Sequence, residues 1–474
     1  VTSVDEAVVL LPTACPETSP AAGALPQKLL GLTWLHRTIL AAAQSGAREF
    51  FLVGDAGKGW EDVAARISRD PRTEKRALRL EFVPFSGLMK TAREGRIVRP
   101  FWLIRGNLVF DPEVVTSAAR ADRGESELLH LVGGAPAAGP DVSNGIGVRT
   151  DEGPGTSPAI VRLPAKGAIP YAGISLCPAS VFSRLAEALA TRGSLRPEVD
   201  VMNEIFGPAP FRAFDVGGRL CLEVSTPAAF KTAERRLLDS ARKPTDGFFS
   251  RHFNRHISLF LTKQFLKTGI TPSMLSVVTL LIGLASGWFI SRGGYPLSVL
   301  GALLFDFASI FDGCDGENAR LTYRMSRLGG FLDITGDAVI FVLFFLCLPV
   351  GLYRASHHAV WLYLGILALV SMGLFYAQLV RYMKRVKLSN NIVAIVKDIE
   401  SSAGKSGVGS RIDAVAAKIA FIYRRDFFST AACLIILAGG ARILMGILAI
   451  FMPIEAIYMF LYSRKRLRSI PRPG

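Results

Sequence analysis

Apolar residues follow two different rhythms along this chain. Up to about residue 240, short apolar runs alternate with stretches of helical spacing. AVVLL at 7–11 is followed by the helical LTWLHRTILAAAQSG at 32–46 and the strand-like EFFLVGD at 49–55. RLEFVPF at 79–85 and PFWLIRG at 100–106 read as further strands. Strands alternating with helices predict a doubly wound, Rossmann-like α/β domain. Residues 134–158 are crowded with Gly, Pro, Ser and Ala and read as loop or hairpin. Thr226–Ala241 reads as a closing helix and Arg242–Gly247 as a linker.

Beyond residue 270 the apolar runs lengthen. Six membrane spans are expected, at about Ser273–Ser291, Tyr295–Phe311, Gly330–Tyr353, Ala359–Val380, Phe427–Gly440 and Ile443–Tyr462. A full crossing takes roughly 20 apolar residues, so the fifth is short unless it extends back through Tyr423, tilts or is thinly covered. In GFFSRHFNRHISLFLTKQFLKTGITP, before the first span, Phe253, Ile257, Phe260, Leu261 and Phe265 recur at helical spacing, with Arg251, Arg255, Lys263 and Lys267 between them. This reads as an amphipathic helix on the membrane surface, the alternative being a connector helix packed on the soluble domain. Pro272 opens the first span, where a missing N–H costs little. The expected plan is a soluble domain over 1–241, a linker and juxtamembrane helix over 242–271, and an all-α six-helix transmembrane domain over 272–474.

Charge orients this plan. The formal net charge is +16 over 474 residues, half of them hydrophobic. A basic chain first brings nucleic acid to mind. Here the cations cluster beside the apolar runs, which points instead to membrane topology, anionic lipid and an anionic substrate. Loops after spans one, three and five each hold one cation, Arg292, Arg354 and Arg442. The other side carries Arg320, Arg324 and Arg327, a dense set from Arg381 to Arg425, and the tail Arg464, Lys465, Arg466 and Arg468. The positive-inside rule then places both termini and the soluble domain in the cytoplasm, as for a protein of the inner membrane. The six scattered cysteines form no C-x-x-C pair and read as reduced structural thiols. VTSVDEAVVLLPT holds too short an apolar run for a secretory signal.

The candidate chemistry lies between spans two and three, in DGCDGENARLTYRMSRLGGFLDITGD at 312–337. Carboxylates at membrane depth cost roughly 2.5–3.5 kcal/mol each and are functional by default. At about 100° per residue, Asp312, Asp315, Gly316, Ala319 and Arg320 share one helix face, while Cys314 and Asn318 point away. Gly329, Asp333 and Asp337 form a stripe on the next helix. Two antiparallel helices can converge these four carboxylates on one pocket. All-oxygen ligands favour Mg²⁺, Mn²⁺ or Ca²⁺, and four carboxylates suit two ions about 4 Å apart, a clamp for phosphate displacement. The small residues leave room for a nucleotide, and Arg320 is suited to a phosphate. A structural ion network with Arg320, Arg324 and Arg327, an ion pathway of a transporter, and simple helix packing are the competing readings. A non-catalytic scaffold is a further alternative. Asp306 lies off the cluster face and has no assigned role.

Asp312-x2-Asp315-Gly316-x2-Ala319-Arg320-x8-Gly329-x3-Asp333-x3-Asp337 resembles the signature of the CDP-alcohol phosphotransferase (phosphatidyltransferase) family at every fixed position. The resemblance runs from about Asp246 to the C-terminus. It implies attack of an acceptor hydroxyl on the phosphorus of a CDP-alcohol with release of CMP, as in phospholipid or polyol-phosphodiester synthesis. It implies that Asp312, Asp315 and Asp333 hold metal, two Mg²⁺ or Mn²⁺ ions in all, and that Asp337 is both a ligand of the second ion and the base. Gly316, Ala319, Arg320 and Gly329 would line the CDP site, and the protein would be a homodimer. Thr271-Pro272-Ser273 departs from the Thr-Pro-Asn of many relatives. A phosphorylated polyol acceptor such as inositol phosphate would use some of Arg381, Lys384, Arg385, Lys418, Arg424 and Arg425; attraction of these cations to lipid explains them equally. A lipid substrate such as CDP-diacylglycerol also fits an active site within the membrane.

The soluble half resembles a sugar-nucleotidyltransferase domain, and KPTDGFFSRHFNRHIS at 243–258 is similar to the subgroup in which inositol-phosphate cytidylyltransferase and di-inositol-phosphate phosphate synthase domains are fused. Lys28 matches the family's lysine. LLPTACPETSPAAGALPQK at 10–28 lacks the family's Gly-rich loop and arginine, Gly106-Asn107 stands for the metal-binding Gly-Asp, and Glu223-Val224-Ser225 for Asp-x-Asp. These departures predict a domain without nucleotidyl transfer.

Overall fold

A computed structural model describes residues 4–12, 28–121, 127–132, 146–149, 159–162, 168–192, 205–206, 211–224, 226–242, 250–386 and 425–468. Its contacts divide the chain into two units, Val1–Ser240 and Ala241–Gly474.

The first unit is built on a mixed sheet of nine strands among the described residues. Glu6–Leu10 lies parallel between Glu49–Gly54 and Phe101–Arg105, and Arg79–Pro84 extends the parallel part. Central strands read as unbroken apolar runs because both faces are covered: Val8, Phe51, Val53, Phe101 and Leu103 share one core with Leu185 and Phe206. On the other edge of Phe101–Arg105 the long strand Ala168–Cys177 runs antiparallel. It also pairs with Leu128–Val132 across a register shift between Tyr171 and Ser175, where Gly173 adopts φ 83°. The stretch expected as loop or hairpin contains the strand Ile146–Arg149, paired antiparallel with Ala159–Arg162. The closing helix is Pro227–Ser240. Cys177, Cys221, Cys314, Cys347 and Cys433 are free thiols, and Cys15 lies outside the described residues.

The second unit is helical: α1 Arg255–Thr268, α2 Pro272–Ser291, α3 Tyr295–Leu321, α4 Arg327–Ser356, α5 Val360–Val386, α6 Arg425–Leu437 and α7 Ala441–Arg468. Five of these, α2, α3, α4, α5 and α7, are long and apolar enough to cross a membrane. The remaining expected span, the fifth in order, is α6, whose 13 residues reach about 20 Å, short of the roughly 30 Å hydrocarbon layer. Tyr423, offered as one way for this span to lengthen, is among residues 387–424, which lie outside the described set. Thr271 caps α2 and Pro272 occupies its first turn. Small residues bring α2, α3 and α4 together. Gly283 faces Ile340, and Gly301 sits against the backbone of Ser286 and Ile290, with Ser286 Oγ donating to Gly301 O at 2.7 Å. Phe305, Phe344, Phe345 and Phe428 stack and cross in the common core.

The amphipathic reading of α1 needs a correction. Phe253, Ile257 and Phe260 are indeed exposed, and Leu261 and Phe265 pack on Leu275, Phe311 and Cys314. Arg255, expected among the outward cations, is buried together with Ser258 and Thr262. A buried carboxylate on α3, Glu317, draws this polar strip inward, so the hydroxyls of Ser258 and Thr262 lie on the buried side with Leu259 and Leu266.

Candidate active site

Two local devices fold the aspartate-bearing segment back on itself. Helix α3 ends in a left-handed residue, Tyr323 at φ 56°. Arg324 N–H then reaches Ala319 O at 2.9 Å and Tyr323 N–H reaches Arg320 O at 3.4 Å, the paired closure of a Schellman motif. Two residues later Ser326 caps α4, its Oγ accepting from Gly329 N–H at 2.9 Å. A Cβ on Gly329 would lie 3.0 Å from that oxygen, so this glycine of the signature also serves the cap.

The reversal brings the carboxylates together. One oxygen each of Asp312, Asp315 and Asp333 lies within 4.8 Å of the others. Asp312, Asp333 and Asp337 line one cavity with Ser276, Thr279, Leu280, Gly336 and Ile340. One oxygen of Asp337 is sealed from solvent. The donor set is all oxygen and anionic, which fits a hard divalent cation. Ser276, on α2, lines the same cavity and donates to Asp315. Sequence reasoning did not single it out, although a hydroxyl one turn after Ser273 was the available signal.

The expected CDP-site residues are near but differently engaged. Arg320 donates through Nε and Nη2 to Ala241 O at 3.1 and 2.7 Å, and its Nη1 fills the space a Cβ on Gly316 would need. Ala319 is half-buried beside it. Of the cations offered to an acceptor, Arg381 is exposed on α5, Lys384 and Arg385 continue that helix, and Arg425 opens α6. Lys418 and Arg424 lie outside the described residues. Asp306 acquires a role: it accepts from Ser429 Oγ at 3.0 Å and Thr430 Oγ1 at 2.9 Å, pinning α6 to α3.

In the first unit the residues standing for metal ligands are joined to each other. Arg105 Nη1 contacts Glu223 Oε2 at 2.7 Å, and Asn107 Nδ2 donates to Glu223 Oε1 at 3.0 Å. Both carboxylate oxygens of Glu223 thus face donors of the chain itself. Arg105 also lies 5.7 Å from the Tyr171 ring centroid. Lys28 is exposed, and Ser225 lies outside the described residues.

Parts of this chain are similar to known proteins. A bifunctional IPC transferase and DIPP synthase of Thermococcus kodakarensis is 35% identical over 170 residues, 36% of this chain and 38% of that protein. The protein of the same description from Aquifex aeolicus is 29% identical over 230 residues, 48% of this chain and 50% of that one. The matches therefore span half or less of these relatives' length. Among solved structures, the inositol-1-phosphate CTP transferase from T. maritima aligns with 50% of this chain and 96% of its own, at 16% identity and a TM-score of 0.39. Residues 269–461, which contain all four aspartates, match the family model for CDP-alcohol phosphatidyltransferase.

Proposed function

We propose that the membrane domain transfers a substituted phosphate from a CDP-alcohol to an acceptor hydroxyl and releases CMP. The observation that carries this reading is the convergence of Asp312, Asp315 and Asp333 within 4.8 Å, on a cavity shared with Asp337. The acceptor oxygen forms a bond to phosphorus, the bond to the CMP oxygen breaks, CMP leaves with the electron pair, and Asp337 takes the hydroxyl proton. Asp312, Asp315 and Asp333 would hold Mg²⁺ or Mn²⁺, with Asp337 shared by a second ion. Bound there, the ions would supply neutralisation of charge at the transferring phosphate. The chain's own part is to gather anionic ligands at the ends of two rigid helices, orient Asp315 through Ser276, and keep Asp337 partly out of water.

An inositol-phosphate-like acceptor is favoured. The relatives' descriptions support it, as do the cations at Arg381, Lys384, Arg385, Lys418, Arg424 and Arg425; a lipid acceptor or donor is the alternative. The cation asymmetry of the loops supports an active site and first unit on the cytoplasmic side of the inner membrane, and the family resemblance supports a homodimer. A transporter is disfavoured because the acidic cluster sits at one end of two helices, while Asp306, deeper in α3, is engaged by Ser429 and Thr430.

We read the first unit, residues 1–241 with the linker at 242–271 following it, as lacking nucleotidyl transfer. Asn107 turns its amide nitrogen to Glu223, and Arg105 supplies the positive charge beside that carboxylate. An internal guanidinium thus stands where a metal-dependent transferase needs free carboxylates, so the residues present do not fit a metal. A separate cytidylyl-transfer reaction must then supply the CDP-alcohol.

Purified full-length chain with Mg²⁺ or Mn²⁺, assayed for CMP release against a panel of CDP-alcohols and acceptors, tests the first reading. Asp333→Asn and Asp337→Asn should abolish release with the fold intact; undiminished turnover in both would sink the assignment. CTP with inositol 1-phosphate should give no pyrophosphate, and clear pyrophosphate release would overturn the reading of the first unit.

A further inference from the structure

Glu317 stands two residues after Asp315, inside the signature but at one of its free positions. It is fully buried. On the α3 wheel it lies about 140° from Asp312, away from the cavity. A lone carboxylate in such a place would be strongly disfavoured, yet this one is surrounded by donors from a single neighbouring element. Arg255 Nη1 contacts Oε1 at 2.6 Å, Ser258 Oγ donates to Oε1 at 2.7 Å, and Thr262 Oγ1 donates to Oε2 at 2.7 Å. All three donors sit on α1 at helical spacing, one strip facing one carboxylate.

The contacts around this group extend along the back of the aspartate-bearing turns. Gly313 has Arg255 Nη1 and Ser258 over it, and a Cβ there would meet the guanidinium at 3.0 Å. Cys314 Sγ approaches Ser258 O at 3.5 Å. Asn318 Nδ2 donates to Ile270 O at 3.1 Å, just past the end of α1. The stretch Gly313–Asn318 is therefore gripped from behind by α1 and the segment after it, while Asp312 and Asp315 project from its front.

We propose that Glu317 is a positioning residue for the metal-binding carboxylates. Through Arg255, Ser258 and Thr262 it fixes the rotation and height of α3 against α1, and so sets where Asp312 and Asp315 stand relative to Asp333. An apolar contact alone permits axial sliding and small rotations, whereas a bidentate set of charged and hydroxyl donors on one carboxylate has a single good geometry. The inference rests on the reading of Asp312, Asp315 and Asp333 as metal ligands.

The test is a double-mutant cycle of Arg255→Met and Glu317→Gln on the full chain in detergent or nanodiscs, read as Mn²⁺ binding by electron paramagnetic resonance. Wild type should bind Mn²⁺ and Asp333→Asn should not; failure of wild type to bind defeats the metal-site reading itself. Each single variant should weaken Mn²⁺ binding by roughly 10–100-fold, the range seen for residues that orient metal ligands. The double variant should be no weaker than the worse single variant, because the two groups act as one unit. Elution and thermal unfolding of Glu317→Gln, which keeps an acceptor oxygen for one of the two hydroxyls of Ser258 and Thr262, report whether the fold persists. If Glu317→Gln is unfolded, Ser258→Ala with Thr262→Val, which keeps the ion pair, should still weaken Mn²⁺ binding. Folded variants that bind Mn²⁺ like wild type, or an effect of Glu317→Gln without one of Arg255→Met, would overturn the inference.

Discussion

Replacing Gly283 by Ala should loosen the unit that carries the aspartates. A Cβ added at Gly283 would stand 2.3 Å from Ile340 Cγ1, 2.6 Å from Cδ1 and 3.0 Å from Cγ2. Carbon atoms pack comfortably at about 3.5–4.0 Å, so the nearest atom must give by more than about 1 Å. Ile340 cannot simply swing away, because a β-branched residue in a helix has one strongly preferred χ1 rotamer and a rotation exchanges one γ carbon for the other. Helices α2 and α4 must separate locally instead. Overpacking of this kind costs about 1–3 kcal/mol, against which Ala in place of Gly returns roughly 0.5–1 kcal/mol of helix preference. The net expectation is a loss of up to about 2.5 kcal/mol by these two estimates. Ile340 follows Asp337 by one turn and lines the same cavity, so CMP release should fall as well. Reversible unfolding in mixed micelles, followed by tryptophan fluorescence, measures the first effect. Gly446→Ala on α7, where a Cβ meets nothing within 4 Å, is the comparator and should be neutral or stabilising. Ile340→Ala removes all three crowding atoms and should rescue Gly283→Ala, with a coupling of about 0.5–3 kcal/mol, while Ile340→Val keeps both γ carbons and should not. A Gly283→Ala protein as stable as the Gly446→Ala protein would refute the reasoning.

Burial, reinforced by Glu49, pushes the Glu6 carboxyl up to about 7 from an ordinary value of 4.5. The folded chain then holds a proton that the unfolded chain releases, so stability should fall as pH rises from 4.5 towards 7, by at most about 3 kcal/mol. Glu6→Gln should remove this slope; slower amide exchange across Glu6–Leu10 at pH 8, with no change at pH 4, is the expected result, and equal exchange at pH 8 would contradict it. Ser429→Ala with Thr430→Val strips Asp306 of two donors and should destabilise α6 by about 1–3 kcal/mol, whereas Asp306→Asn keeps an acceptor and should cost less; the same micelle titration decides. Ser326→Ala should cost about 1 kcal/mol as a lost helix cap and lower CMP release through Gly329 and Asp333; release and stability both equal to wild type would rule the cap out.

Much of the first unit was legible because its strands announce themselves locally: EFFLVG, RLEFVP and FWLIR are apolar runs bounded by turn residues, and each forms the strand expected. The aspartate stripe was legible for a similar reason, since helical period alone decides which residues share a face. The length of α6 was doubtful from its short apolar run, and 13 residues is what the structure describes. The inward face of α1 was not legible. Phe253, Ile257 and Phe260 mark one side of that helix, but nothing near them in the chain says that Arg255 has a buried partner.

That difference follows from distance along the chain. Periodicity, caps and turn residues act within a few residues, so the sequence by itself determined the α/β half, the apolar helices and the four aspartates at helical register. Pairings between remote groups were left to the tertiary structure. Glu317 meets partners 55–62 residues earlier, Arg105 meets Glu223 across 118 residues, and Asp306 meets Ser429 across 123. Each is a charged group whose cost of burial is set by which donors the fold brings to it. The chain's pattern named the carboxylates at 312–337; the left-handed turn at Tyr323 and the packing of α2, α3 and α4 decided that they face one another.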